Sequence, residues 1–206
     1  GTFTQALTGK SVIGPGAQGL GRLVVSGDVN LEGLLTVDLA GDDMLIAYRN
    51  FTNDGIVRIM ARPELTAGTY TPISVSDQWL GSGNYVALGG VWDEALHTFT
   101  VAAAQNSDSG VETTVDLANA PRLAITDPTS GQQATVNFGS NVGTVTFAAT
   151  VLDEAPVLAD LALQLTVGET VLSGWQFDTD LPDGEQVALS FFVGDGLSAD
   201  ALGIWH

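Results

Sequence analysis

Apolar and polar residues alternate with a period of two along much of the chain. Leu35, Val37 and Leu39 fall on one face of an extended segment, and Thr36 and Asp38 fall on the other. The same alternation recurs in two later runs, residues 145–151 and 187–193. A period of two is typical of strands that bury one face, and turn residues interrupt it about every 8–12 residues. The pattern therefore predicts many short β-strands and little helix.

The clearest local turn signal is Thr52-Asn53-Asp54-Gly55. It separates two apolar runs, residues 44–51 and 56–61, and sequences of this kind commonly close tight hairpins. We therefore expect an antiparallel hairpin here. In that hairpin Arg49 and Arg58 would face each other across the two strands.

Regular strand spacing favours an all-β fold built as an antiparallel β-sandwich of jelly-roll-like form, with a solenoid-like edge at its N-terminal end. A parallel β-helix throughout is the alternative. The polar stretch 105–110 suggests a boundary between an N-terminal β-rich unit, 1–105, and a C-terminal β-rich unit, 106–206, although a single domain 1–206 fits equally. Residues 155–165 fit a helical pattern and a strand pattern equally well.

Charge is distributed very unevenly between the two signs. The 206 residues include 24 Asp plus Glu but only 6 Lys plus Arg, giving a formal net charge of -18. Such a chain repels phosphate backbones and anionic lipid headgroups, so we expect no nucleic acid partner and no membrane insertion. The same charge attracts divalent cations.

Few side chains suited to catalysis are present. The chain has no Cys and two His, and it contains no nucleophile elbow, zinc-protease helix motif or phosphate-binding loop. We therefore expect a non-enzymatic protein without a cofactor, apart from a candidate calcium ion. His97 is interpreted as a surface or interface side chain of a strand.

One acidic cluster could hold that calcium ion. Asp178, Asp180 and Asp183 lie close together in the sequence, and calcium prefers several carboxylate oxygens on a tight turn. The spacing differs from that of an EF-hand loop, because the third acid and the glycine come one position late. The competing interpretation is a polar hairpin between strands that end near Phe177 and begin near Gln186.

Two aromatic residues form the candidate ligand platform. Trp79 and Tyr85 flank a short glycine-containing segment, and flat aromatic rings can stack on the apolar faces of sugars. The competing interpretation is that Trp79 closes the end of a core and Tyr85 packs beside it.

Several phrases resemble those of bacterial surface proteins. The Gly-punctuated opening, with Gln5-Ala6-Leu7-Thr8-Gly9 and Leu34-Leu35-Thr36-Val37-Asp38-Leu39-Ala40-Gly41, resembles Gly-rich autotransporter-passenger-like repeats. Gly68-Thr69-Tyr70-Thr71-Pro72-Ile73 is similar to a segment that commonly follows such repeats. Gly90–Val101 and Leu181–Phe191 look like the C-terminal region of large secreted proteins with sorting tails. That family would continue the last strand beyond residues 202–206 into Tyr-Asp-Gly and a Trp, which are lacking here.

The resemblance implies an extracellular or bacterial cell-surface location and a structural or adhesin-like role, and it supplies no catalytic residue. We expect glycans or other surface proteins as partners. The alternatives are a carbohydrate-binding module that uses exposed aromatics and a calcium-stabilised interaction domain. The abrupt first residues suggest a piece excised from a longer protein.

Overall fold

The computed structural model describes residues 1–15, 21–139, 143–152 and 172–192. These residues form 21 strands and no helix, which confirms the all-β prediction. The undecided segment 155–165 lies outside the described residues, as do residues 202–206 and the last residue of the alternating run 187–193.

The first part of the chain winds into a β-solenoid of about 3 turns. Its strands are β1 (Phe3–Gln5), β2 (Lys10–Ile13), β3 (Leu23–Val25), β4 (Val29–Leu31), β5 (Leu34–Leu39), β6 (Leu45–Ala47), β7 (Phe51–Asn53), β8 (Ile56–Ala61), β9 (Gly68–Tyr70), β10 (Ile73–Val75), β11 (Trp79–Leu80) and β12 (Asn84–Leu88). All of these except β9 stack into three parallel sheets, ordered β1-β4-β7-β11, β2-β5-β8-β12 and β3-β6-β10.

The first coil comprises β1, β2 and β3, the second β4, β5 and β6, the third β7, β8 and β10, and the last β11 and β12. One length of chain recurs in all three sheets. Val29 pairs with Phe51, Leu34 with Ile56 and Leu23 with Leu45, so every sheet advances by the same length of chain at this level. The third coil is longer, because the connection between β8 and β10 contains an extra strand, β9. Strand β9 leaves the solenoid and pairs with a later hairpin.

A glycine at each corner between the first two sheets permits this close stacking. A Cβ on Gly55 would lie 2.2 Å from the carbonyl oxygen of Gly33, and a Cβ on Gly33 would lie 2.3 Å from that of Gly9. The carbonyl oxygen of Gly33 also accepts the Ile56 N–H at 2.9 Å. A side chain at either corner would therefore push two coils apart.

The expected hairpin at residues 52–55 is wrong, because β7 and β8 belong to different sheets. Arg58 pairs in register with Thr36 of the coil before it and Val86 of the coil after it, and not with Arg49. The turn residues redirect the chain around a corner of the solenoid.

The remaining strands are mainly antiparallel. They are β13 (Gly90–Asp93), β14 (Thr98–Val101), β15 (Gln105–Asp108), β16 (Thr113–Asp116), β17 (Arg122–Thr126), β18 (Gln133–Phe138), β19 (Thr144–Val151), β20 (Trp175–Thr179) and β21 (Val187–Phe192). The hairpin β13–β14 extends to β9, while the others form sheets ordered β15-β17-β18-β21 and β16-β19-β20.

The antiparallel, jelly-roll-like sandwich predicted for the chain is therefore wrong, and the parallel β-helix alternative fits the solenoid. The reason is physical. Period-two alternation fixes which side chains face inward, but it is the same for a strand whose neighbour is antiparallel and adjacent in sequence and for one whose neighbour is parallel and one coil away.

Two clusters of buried apolar side chains form the interior. One runs from Ile13 to Val101 and the other from Val115 to Ala149. The second cluster lies between the two C-terminal sheets, where Phe138 of one sheet meets Phe147 of the other edge to face at 5.5 Å. The division into units 1–105 and 106–206 stays a prediction.

Arg122 joins the two regions. Arg122 lies in β17, and it is only 2% exposed. Its two terminal nitrogens donate hydrogen bonds to four main-chain carbonyl oxygens at 3.0–3.1 Å, those of Arg62, Pro63, Leu65 and Ala102. Burial lowers the pKa of Arg122, and the convergent carbonyl dipoles offset the cost of burying its charge.

Candidate functional site: an aromatic cluster on the last coil

The predicted pair, Trp79 and Tyr85, lies on the last coil of the solenoid. Trp79 begins β11 and Tyr85 is in β12, the outermost strands of the first two sheets on this side. Both side chains are half-buried and pack against the first core. Their placement follows from the corner between β11 and β12, which turns the chain from one sheet to the next.

Trp92 lies between these two rings and connects them. Its ring stacks on Tyr85 with centroids 5.0 Å apart and an interplanar angle of 18°, and it meets Trp79 at 6.3 Å and 52°. Trp92 comes from β13, so the hairpin β13–β14 packs over the last coil. The structure thus brings the two predicted residues into one cluster through a third that the sequence did not single out.

His97 completes the cluster. Its imidazole stacks on the Trp79 indole with centroids 3.9 Å apart and an interplanar angle of 3°. Phe51, from the preceding coil, lies 5.1 Å from the same indole at 55°. We refer to Phe51, Trp79, Tyr85, Trp92 and His97 as the aromatic cap.

The tight end of the hairpin places His97 over Trp79. The Asp93 carboxylate accepts hydrogen bonds from the N–H groups of Ala95 and Leu96 at 2.9 and 3.0 Å. His97 then adopts a left-handed backbone conformation with φ of 54°, which folds its ring back toward the solenoid. The expectation of a strand His on a surface was wrong in its local structure, since His97 lies between β13 and β14.

The environment of the cap disfavours charge on its titratable members. Burial lowers the pKa of His97, and the nearby carboxylates of Glu94 and Asp93 only partly oppose this effect. Burial likewise raises the pKa of Tyr85, and the neighbouring Asn53 side chain only partly opposes this effect. Trp92 Nε1 is buried and finds no hydrogen-bond partner among the described residues. The two pKa shifts are typical of side chains packed at the margin of a core.

The stacking also limits what the cap can bind. A sugar ring stacks on an aromatic face, but His97 covers one face of Trp79 and Trp92 covers one face of Tyr85. The rings are only half-buried, so their remaining surface is open to solvent. The arrangement suits closure of the solenoid better than a flat sugar platform.

The candidate calcium residues lie apart from the aromatic cap. Asp178, Asp180 and Asp183 are all exposed, and the Asp180 carboxylate accepts the Thr146 N–H at 2.6 Å. The predicted polar hairpin is wrong, because β20 and β21 belong to different sheets. Within the described ranges, no three His, Cys, Asp or Glu residues are grouped so as to hold a metal. Calcium binding at these residues stays a prediction.

No protein-family model, no curated protein and no solved structure matches the chain. Among the residues that the structure describes, no helix is long and apolar enough to cross a membrane.

Proposed function

We propose that this protein is a non-enzymatic structural module of an extracellular or cell-surface protein, in which a β-solenoid acts as a stiff spacer closed at one end. The observation that carries the proposal is the aromatic cap. Four aromatic side chains and a histidine pack against one another, with ring centroids 3.9–6.4 Å apart, so much of their surface is used within the protein.

Charge and fold support the same role. A net charge of -18 keeps neighbouring molecules apart in solution. The strands of the inner coils pair with a neighbour on both sides, so they present no open edge. The surface location is proposed on the resemblance of the glycine-rich segments to bacterial surface repeats.

A carbohydrate-binding module is the second candidate. One observation favours it: Trp79 and Tyr85 do converge on the last coil, and both retain some exposure. In this function the open edges of the cap, and not its covered faces, would contact the sugar.

A glycan array followed by titration calorimetry separates the two candidates. The structural proposal predicts no saturable glycan binding, and it predicts that Trp79→Ala lowers the unfolding midpoint because the indole contacts Phe51 and His97. Tyr48→Ala is the matched control, since that aromatic is 56% exposed and should leave the midpoint unchanged. Saturable binding that Trp79→Ala abolishes, with Tyr48→Ala unaffected, would contradict the structural proposal.

A further inference from the structure

The first coil presents an open edge in three sheets at once. Strands β1, β2 and β3 are the outermost members of the three parallel sheets, and no described strand pairs with their outer sides. We refer to the outer sides of these strands as the first-coil edge.

The direction of the main-chain groups follows from the bonds already made. The Phe3 N–H donates to the main-chain carbonyl oxygen of Asp28, and the Leu23 N–H donates to that of Met44. The carbonyl oxygen of Gly9 accepts from the Leu34 N–H. All three bonds point toward the second coil. In an extended strand, successive residues direct their N–H and C=O groups to opposite sides. Four residues therefore direct their main-chain groups outward, away from the second coil: Thr4, Lys10, Val12 and Val24.

The second coil shows how positions equivalent to these four are covered when a coil lies on each side of them. Val12 is 73% exposed, whereas Thr36, its register partner in the second coil, is 7% exposed because Arg58 of the third coil lies on its other side. Val24 is 52% exposed, while its partner Ile46 is half-buried. The coil-to-coil interface inside the molecule is therefore the direct template for an occupant of the first-coil edge.

Charge on the first coil also differs from the rest of the chain. Residues 1–27 contain Lys10 and Arg22 and no Asp or Glu, in a chain of net charge -18. Acidic outward side chains in an adjacent coil would meet attraction here and repulsion from most other surfaces.

We propose that the first-coil edge is a docking surface for a further β-solenoid coil, with three short strands parallel to β1, β2 and β3, apolar inward side chains and neutral or acidic outward ones. A second copy of the chain fits less well. At its last coil the hairpin β13–β14 packs on Trp79 and Tyr85 through His97 and Trp92, which obstructs head-to-tail stacking, and joining two first-coil edges would make antiparallel pairs and bring like charges together. The proposal holds whether the module is a spacer or a sugar binder.

The test supplies such a coil from the protein's own sequence. A copy of Gly27–Tyr48 placed directly before Gly1 puts its first strand as far ahead of Phe3 as Val29 is ahead of Phe51, its register partner one coil later. In the control, the copied Leu35 and Val37 are both changed to Asp, which removes the inward apolar face. Amide hydrogen exchange is measured by NMR on the full chain in each case.

We expect the outward amides of Thr4, Lys10, Val12 and Val24 to exchange rapidly in the original protein. They should become protected by about 100-fold or more in the extended protein, but not in its control. Unchanged exchange at all four amides in the extended protein would overturn the proposal. Protection of these amides in the original protein would also overturn it, and light scattering would then tell a dimer from coverage within the monomer.

Discussion

The solenoid and the C-terminal sheets use one alternating pattern in two different ways. In the solenoid, strand β5 pairs with β8, so that Leu34 lies beside Ile56, a full coil later in the chain. In the C-terminal sheets, β17 pairs with β18 in antiparallel register, and Thr126 lies beside Gln133 across a short turn. The comparison teaches that the connections between strands, and not the strands themselves, determine which fold forms.

The connections differ in chemistry. At the solenoid corner, Gly55 is required because a neighbouring carbonyl oxygen occupies the space of a Cβ. In the C-terminal turns, acidic side chains satisfy main-chain N–H groups instead: Asp116 accepts from Ala118 and Asn119, and Asp127 accepts from Ser130. Corners of the first kind depend on sterics between coils, whereas turns of the second kind depend on local hydrogen bonds.

The largest effect is expected where the two regions meet. Arg122→Met should lower the free energy of unfolding by about 3–5 kcal/mol, because four main-chain carbonyl oxygens lose their donor at once. Arg49→Met is the control, since Arg49 is exposed and its loss should change stability by less than about 0.5 kcal/mol. Chemical denaturation measures both values, and equal small effects would contradict the assigned role of Arg122.

The corner glycines should distinguish the regions more finely. Gly55→Ala should destabilise the protein by about 1–3 kcal/mol, because the new Cβ meets the Gly33 carbonyl oxygen and two coils must move apart. Gly41→Ala is the matched control within the solenoid, since a Cβ there meets nothing within 4 Å. Thermal unfolding of the two variants measures the difference, and an equal response at both positions would argue against tightly stacked coils.

The smallest expected effect concerns pH. The pKa of His97 is lowered in the folded protein, so the unfolded state binds the proton more tightly. Stability contributed by neutral His97 is complete above the unfolded pKa of about 6.5, and it is lost as the pH falls from there through the lowered folded pKa. His97→Phe keeps an aromatic ring and removes this titration.

Unfolding midpoints measured from slightly alkaline to mildly acidic pH check this effect. The difference between the original protein and His97→Phe should change across that window, with the original protein losing relatively more stability on acidification. A difference that stays constant would show that the imidazole is not desolvated against Trp79.

Much of the strand content could be read from the sequence, since Leu35, Val37 and Leu39 are buried as their alternation predicts. The pairing could not, because residues 52–55 have the composition of a hairpin turn and nothing in them reveals a neighbour one coil away. Trp79 and Tyr85 do belong to one aromatic cluster, joined through Trp92, and ligand binding by this pair stays a prediction. The contributions of Trp92 and His97 were missed, although Asp93 followed by a short turn was a signal that the chain reverses there.

The central claim is that residues 29–61 form parallel coils stacked in register, and paired cysteines test it most directly in a chain that has none of its own. Asn30 and Thr52 are register partners on neighbouring parallel strands, at a spacing that suits a disulfide. The double variant Asn30→Cys and Thr52→Cys should form that bond under mild oxidation and raise the free energy of unfolding by about 3 kcal/mol. If this pair stays reduced while Arg49→Cys and Arg58→Cys join instead, the chain forms a hairpin there and the solenoid is contradicted.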